Sequence, residues 1–250
     1  LNRPEKRNAL DMAMFKAIDA VSRQLRKNRD IRAVIVQGNG EDFCSGLDIK
    51  SVLREKSSAL RLLAKWLPGR PNLAQRVSYN WRRIPVPVFM VIHGRCWGGG
   101  MQIALGADFR FASTDASFSI MEGKWGLIPD MGGNLALREI VSKDVALKLV
   151  MTAEVVSAQQ ALGFGVVTDV SDDPLQQAMA LVEQISDRSP DAVAAIKKLY
   201  QRTWFKADWW MLARESYYQV RVLLGKNQGI AVKKQLKPDQ AHSYIKRRNW

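Results

Sequence analysis

Apolar positions near the start of the chain recur with the period of an α-helix. In residues 11–28 the apolar side chains of Ile18, Val21 and Leu25 fall three or four positions apart, with polar residues between them. Asp11 stands just before this pattern, where its carboxylate can accept hydrogen bonds from the first free N–H groups of a helix. The pattern therefore predicts an amphipathic helix capped by Asp11.

Two apolar runs of strand length follow, at residues 33–36 and 86–92. Pro85 and Pro87 cannot donate a ladder hydrogen bond, so they belong at the start of the second strand. Helix-compatible sequence rather than a tight turn separates the two runs, which indicates an α/β fold. A doubly wound sheet, with its ligand site at the ends of the strands, is the expected architecture.

Beyond residue 133 the pattern becomes mostly helical. Helices are predicted over residues 134–150, 157–164, 175–187, 191–205, 208–224 and 228–236, with one short strand at 166–169. A dense aromatic band falls in the later helices, a composition more typical of a core or a subunit interface than of a ligand cage: Trp204, Phe205, Trp209, Trp210, Tyr217 and Tyr218. We place a domain boundary near residues 170–190, dividing the chain into residues 1–180 and 181–250.

Three consecutive glycines, Gly98–Gly100, follow the second strand and precede a helix-compatible segment, residues 101–107. Such a turn presents backbone N–H groups at a helix N-terminus with no side chain in the way. A phosphate loop needs Lys-Ser/Thr after the glycines, where this chain has Met101 and Gln102, and a dinucleotide fingerprint needs glycine at Cys96. An oxyanion site and a tight packing turn remain, and the glycines alone favour the turn.

Composition narrows the classes of protein further. The 250 residues are 47% hydrophobic, enough for a sizeable core, and no apolar run approaches the ~20 residues that span a bilayer. The net charge is +14, concentrated in residues 54–83 and 226–248, which suits either an anionic partner or a solvated basic face. Two cysteines exclude a disulfide scaffold, and with no secretory signal the expected location is cytoplasmic. We expect further residues before Leu1.

The two histidines lack metal-site spacing, and there is no G-x-S-x-G element, so neither a metal site nor a serine hydrolase is expected. Four elements stand in fixed order instead: LNRPEKRNAL, DFCSGLDIK, HGRCWGGGMQIALGAD and FSIMEGKWGLIPDMGG. Together with the later SAQQALGFGVV, they resemble the crotonase superfamily, the enoyl-CoA hydratase/isomerase family. The resemblance implies a spiral core of ββα turns with two roughly perpendicular sheets, rather than a doubly wound sheet. It also implies that residues 181–250 form a helical trimerisation region, with trimers often paired into hexamers.

The same resemblance assigns an acyl-CoA thioester as substrate, with coenzyme A as part of that substrate and no separate cofactor. It places an oxyanion hole at the backbone N–H groups of Leu47 and Gly99, in agreement with the glycine run. It places coenzyme A along two segments, with basic C-terminal residues reaching a neighbour's phosphates. The CoA-binding residues that it implies are Arg3, Lys6, Arg7, Ala9, Gly46, Asp48, Ile49 and Lys50.

Three positions then bear on the reaction. Hydratases of the family hold water between two glutamates. The first of these positions is Gln102 in this chain, and the second is Glu122. The amide of Gln102 can orient water or substrate, but it cannot exchange a proton. Asp130 matches a catalytic aspartate of the family's dienoyl-CoA isomerases. Two carboxylates across an acyl chain can move a proton between carbons. Isomerisation is therefore the leading hypothesis, and hydration is the second. A third hypothesis is a basic RNA-binding protein on the same fold, but no RNA-recognition motif supports it.

Overall fold

The computed structural model describes residues 1–49, 51, 61–65 and 67–250. The strands are β1 (Val34–Gln37), β2 (Val88–Ile92), β3 (Arg95–Trp97), β4 (Phe109–Ser113), β5 (Ser117–Ser119), β6 (Val156–Ser157) and β7 (Asp169–Ser171). The α-helices are α1 (Met12–Lys27), α2 (Leu73–Arg82), α3 (Gly99–Ala104), α4 (Asn134–Ile140), α5 (Lys143–Thr152), α6 (Ala158–Gly163), α7 (Pro174–Ser186), α8 (Pro190–Thr203), α9 (Asp208–Leu223) and α10 (Lys226–Leu236). Pro4–Lys6 and Met121–Trp125 form 3-10 helices. Residues 52–60, part of the helix-compatible sequence between the first two apolar runs, lie outside the described residues.

Among the described residues the strands form two sheets, and the chain crosses from one sheet to the other several times. One sheet is parallel, in the order β1-β2-β4-β7; the other has the order β3-β5-β6, with β3 and β5 parallel and β5 and β6 antiparallel. The chain passes from β2 in the first sheet to β3 in the second at Gly94, whose φ of +55° and close approach to Glu41 exclude a side chain. β4 and β5 repeat this passage. The expectation of a doubly wound sheet is wrong, and that of a ββα spiral core is confirmed.

Helix ends largely follow the sequence signals. Asp11 caps α1 by accepting from the N–H of Met14 at 2.8 Å, and Ser157 caps α6. The single helix predicted over residues 134–150 is instead two helices, α4 and α5. The break occurs because Ser142 has an extended backbone conformation and is the N-cap of α5. The strand predicted at residues 166–169 begins only at Asp169; Val166 and Val167 are buried in the turn before it.

Helix α7 covers the outer face of the parallel sheet. Ala178 is fully buried against Phe89 and Phe111, and Leu181, Val182 and Ile185 pack on the same cluster. The boundary expected at residue 180 therefore falls within a helix that packs on the core sheet. The larger core lies on the other face of the sheet, around α1, α2 and α3.

Helices α8, α9 and α10 form the C-terminal part of the chain. In the aromatic band Tyr218 is buried, but Trp204, Phe205, Trp209 and Tyr217 are at least half exposed. Most of the band is thus not part of the core of this chain. Within the described residues, no helix is long and apolar enough to cross a membrane.

Candidate active site

Two loops meet where β3 ends and α3 begins. Cys44 pairs with Cys96 in a parallel bridge, with the Cys44 N–H bonded to Arg95 O and the Trp97 N–H to Cys44 O, each at 2.9 Å. A Cβ built on Gly46 would lie 3.6 Å from the nitrogen of Gly99 and 3.7 Å from the Cα of Gly98. The loop after β1 and the glycine turn are therefore in direct contact, as the sequence predicts.

The backbone N–H groups of Leu47 and Gly99 are not used in the hydrogen bonds that join these loops. Leu10 bonds to both neighbours of Leu47: its N–H donates to Gly46 O at 2.8 Å, and its carbonyl accepts from the Asp48 N–H at 3.0 Å. The Leu47 N–H therefore points to the opposite side of its strand. Gly99 is the first residue of α3, so its N–H has no intrahelical acceptor. Neither N–H has a backbone acceptor among the described residues.

Gly100 shows how closely the two loops approach. A Cβ at this position would lie 2.6 Å from both the Cβ and the carbonyl oxygen of Cys44. We expect Gly100→Ala to lower the free energy of unfolding by about 1–3 kcal/mol, the usual cost of overpacking a core, as measured by urea denaturation. Gly163→Ala is the matched control, because no atom lies within 4 Å of its added Cβ and it ends a helix. Equal effects of the two substitutions would contradict this packing.

The side chain of Gln102 connects the segment that carries Glu122 with the segment that carries Asp130. Its side chain is 1% exposed; Nε2 donates to Glu122 Oε1 at 2.5 Å, and Oε1 accepts from the N–H groups of Met131 at 2.9 Å and Gly133 at 3.3 Å. The amide therefore orients protein groups, with its donor on a carboxylate and its acceptor on the turn after Asp130. A glutamine suits both demands, since one end donates and the other accepts.

Glu122 lies in the 3-10 helix Met121–Trp125, next to the glycine turn. A Cβ on Gly98 would lie 3.5 Å from the Cβ of Met121, which places Glu122 beside that turn. Its Oε2 is buried and has no hydrogen-bond partner among the described residues. Burial raises the pKa of Glu122, and the charge of Asp130 raises it further, against the lowering effect of the Gln102 hydrogen bond. Glu122 thus has one oxygen bonded to Gln102 and a second that is buried without a hydrogen-bond partner among the described residues.

Asp130 follows in the loop after the 3-10 helix. Partial desolvation raises the pKa of its carboxyl. The next residue, Met131, packs against the glycine turn, since a Cβ on Gly99 would lie 3.1 Å from Met131 Sδ. Asp130 does not cap α4, because the N-cap of that helix is Gly133 without a side-chain cap. Instead it lines a cleft of about 360 Å³ with Gln75 and Tyr79 of α2.

The N-terminal segment and the 46–49 loop, where coenzyme A is expected, also lie together. Arg3 is already paired, since its Nη1 donates to Asp48 Oδ2 at 2.8 Å and to Ala9 O at 3.0 Å. That hydrogen bond lowers the pKa of Asp48. Lys6 and Arg7 are exposed at the end of the 3-10 helix Pro4–Lys6. Gly46 and Ile49 lie on the adjacent loop, and Lys50 lies outside the described residues.

Asn8 and Asp42 organise this region, and sequence reasoning missed both. The fully buried amide of Asn8 donates to Asn39 O at 2.9 Å and to Asp42 O at 2.8 Å, and accepts from the Arg3 N–H at 2.7 Å. Asp42 in turn accepts from the Arg95 N–H at 2.8 Å. The signal was present at Asn8, because asparagine tolerates the left-handed conformation that it adopts, with φ of +54°.

Comparison with known proteins extends these observations. A family model described as enoyl-CoA hydratase/isomerase matches residues 1–223. The mitochondrial Delta(3,5)-Delta(2,4)-dienoyl-CoA isomerase of Rattus norvegicus is 33% identical over 212 residues, which cover 81% of this chain and 65% of that protein. The (E)-benzylidenesuccinyl-CoA hydratase of Thauera aromatica is 33% identical over 202 residues, which cover 79% of this chain and 75% of that protein. The chain thus spans about 65% of the length of the dienoyl-CoA isomerase that it matches.

The fold has close counterparts among solved structures. An enoyl-CoA hydratase from Mycobacterium smegmatis superposes with a TM-score of 0.85 at 26% identity, covering 97% of this chain and 92% of that one. The likeness therefore includes the C-terminal helices as well as the sheets.

Proposed function

Because the chain belongs to the enoyl-CoA hydratase/isomerase family, we propose that it shifts a carbon–carbon double bond in an enoyl- or dienoyl-CoA thioester. The observation that carries this proposal is the set of groups around the glycine turn. Two carboxylates with raised pKa values, Glu122 and Asp130, lie close enough for the charge of Asp130 to affect Glu122. The residue that bonds to Glu122 and to the turn after Asp130 is an amide, Gln102, rather than a third acid.

The thioester carbonyl binds at the turn itself. The N–H groups of Leu47 and Gly99 donate to its oxygen, and α3 adds the positive end of its dipole. Removal of a proton near the carbonyl moves charge onto that oxygen, so these donors stabilise the enolate. Loss of one such donor typically costs about 3 kcal/mol of barrier.

Proton transfer then needs two groups at different carbons. One carboxylate removes a proton from the acyl chain to give the enolate, and the other delivers a proton to a carbon further along. The double bond moves and no atom is gained or lost. The raised pKa values suit this exchange, because each group can hold or release a proton closer to neutral pH than an ordinary carboxyl can.

Hydration is the second candidate, favoured by the likeness to the Thauera hydratase and by the oxygen of Glu122 that has no hydrogen-bond partner among the described residues. Hydration requires that both a base and an acid act on the bound water. Glu122 can serve as one of these groups, but Gln102 stands at the position of the other. The amide of Gln102 is bonded to Glu122 and to the turn after Asp130. Steady-state assays with enoyl- and dienoyl-CoA esters of several chain lengths test the choice. Faster turnover by double-bond shift supports isomerisation, and faster water addition supports hydration.

Coenzyme A is proposed to lie along the N-terminal segment and the 46–49 loop, with Lys6 and Arg7 available to its phosphates. These two side chains are exposed, whereas Arg3 is held by Asp48 and Asp11. Arg3 therefore serves chiefly to fix the two segments against each other.

The C-terminal helices are proposed to form a trimer interface, with hexamers as pairs of trimers. Large apolar side chains on α8 and α9 are open to solvent in the single chain, including Trp209 at 68% and Leu212 at 61% exposed. Patches of this kind typically mark protein interfaces.

We expect the protein to sediment as a trimer or hexamer in analytical ultracentrifugation, because burial of this apolar surface drives association. Trp209→Ser with Leu212→Ser should shift the population toward smaller species. Val21→Ser, at an exposed apolar position of α1, is the control and should leave the sedimentation unchanged. A stable, active monomer of the unaltered chain would contradict the proposal.

A further inference from the structure

A second cavity, of about 420 Å³, lies between the ends of α1 and α2 and the helices α4 and α8. Its described lining includes a single acidic side chain, Glu139, and two aromatic ones, Tyr79 and Trp250. Seven cationic side chains line it: Arg26, Arg82, Arg83, Arg138, Lys197, Lys198 and Arg202.

Two of these cations are neutralised within the chain. Arg82 donates to both oxygens of Glu139, at 2.6 and 2.7 Å, and Lys197 pairs with Asp108 at 2.5 Å. The remaining five form no ion pair with an acid among the described residues: Arg26, Arg83, Arg138, Lys198 and Arg202. The cavity wall therefore carries an excess of positive charge that the described part of the chain does not balance.

Of these five cations, Lys198 is half-buried, and the other four are exposed but lie near one another around the cavity. Burial, together with the nearby charges of Arg202, Arg221 and Arg26, lowers the pKa of Lys198 to about 8. Burial and the nearby charge of Arg83 also lower the pKa of Arg26. The fold thus holds like charges together at a cost, which an anion in the cavity would offset.

We propose that this cavity binds a small polyphosphorylated anion. Its volume falls in the usual range for small-molecule sites, about 300–1,000 Å³. Arginine side chains present forked donors that match phosphate oxygens, and they come from separate elements: Arg26 from the end of α1, Arg83 from the end of α2 and Arg138 from α4. Cations on several sides of a cavity suit an anion with several charged groups.

The cavity is distinct from the proposed thioester site. It adjoins the Asp130 cleft, from which Tyr79 and Leu135 separate it; these two residues line both spaces. The oxyanion donors and the N-terminal segment proposed for coenzyme A line neither. The anion is therefore expected to bind alongside an acyl-CoA rather than in its place, and it can act on turnover through the shared Tyr79 and Leu135.

Calorimetric titration of the intact protein with inorganic triphosphate, at constant ionic strength, tests the site. We expect one site per chain, and binding at least tenfold weaker in Arg26→Gln/Lys198→Gln, since each charged hydrogen bond lost typically costs about tenfold or more. The matched control is Lys233→Gln/Lys237→Gln, which removes the same charge at two exposed positions of the α10 region. Absence of binding, or equal weakening in the two double variants, would overturn the proposal.

Two further measurements distinguish the site from its alternatives. Triphosphate should raise the melting temperature of the unaltered protein but not of Arg26→Gln/Lys198→Gln, whose own melting temperature should be no lower because repulsion is relieved. Triphosphate should also still bind when the protein is saturated with an acyl-CoA. Displacement by acyl-CoA would show that the binding measured is that of the coenzyme A phosphates, and the separate site would be wrong.

Discussion

Replacing Asp130 by Asn is expected to abolish double-bond shifts, with a loss of about 100-fold to 10,000-fold in turnover, the usual contribution of a general acid or base. The amide keeps the size of the side chain but cannot exchange a proton at neutral pH. Thioester binding should persist, because the donors at Leu47 and Gly99 are on other segments. Turnover and inhibition by a non-reactive acyl-CoA, measured in parallel, separate the two effects.

The pH dependence adds a second readout for the same variant. The charge of Asp130 raises the pKa of Glu122, so its removal should lower that pKa and shift the acid limb of any residual activity to lower pH. Asp239→Asn, a substitution at an exposed acid far along the chain, is the control and should change neither quantity. If Asp130→Asn keeps full activity while the unaltered protein hydrates a simple enoyl-CoA at an ordinary rate, the isomerase proposal is wrong.

Folding should be little affected in Asp130→Asn. A structural alternative for this residue, that it caps the helix beginning near Gly132, is contradicted by Gly133 acting as the N-cap without side-chain help. The side chain of Asp130 lines a cleft and makes no hydrogen bond to another side chain among the described residues. An unchanged free energy of unfolding would thus assign the lost activity to chemistry.

The local signals in the sequence predicted the elements that local physics determines. The cap at Asp11, the helix after the glycines and the late helices all appear near the expected residues. Strands β3 and β5 escaped notice because each has only three residues, too few for alternation to show. The break at Ser142 was missed because both halves of residues 134–150 have helical composition, and the extended conformation at Ser142 is not apparent from composition.

The site was predictable where a motif carries it and not where tertiary contacts do. The residues after the glycines, Met101 and Gln102, excluded a phosphate loop. The resemblance to the enoyl-CoA hydratase/isomerase family then indicated Leu47 and Gly99 as the oxyanion donors. By contrast, Gln102 was expected to orient water or substrate, whereas its amide is bonded to Glu122 and to the turn after Asp130. Such partners are distant in sequence, so they are visible only once the chain is folded.

The contacts of Gln102 define a second large effect. In Gln102→Glu, one carboxylate oxygen can still accept from the N–H groups of Met131 and Gly133, but the other replaces a donor that lies 2.5 Å from Glu122 Oε1. Two carboxylates at that separation cannot both ionise, so the pair must hold one proton at neutral pH. A water beside such a pair has both an acid and a base. We therefore expect hydration of a simple enoyl-CoA to rise by about 100-fold, the contribution of one general acid–base group.

The control is Gln102→Leu, which removes the donor without adding an acid. It leaves the N–H groups of Met131 and Gly133 without their acceptor, and it raises the pKa of Glu122 because a hydrogen bond that lowers this pKa is lost. Hydration should not rise in this variant, and the acid limb of any double-bond shift should move to higher pH. If Gln102→Glu and Gln102→Leu hydrate equally slowly, residue 102 does not decide between the reactions. If only Gln102→Glu gains hydration, the amide at this position is what disfavours water addition in the unaltered chain.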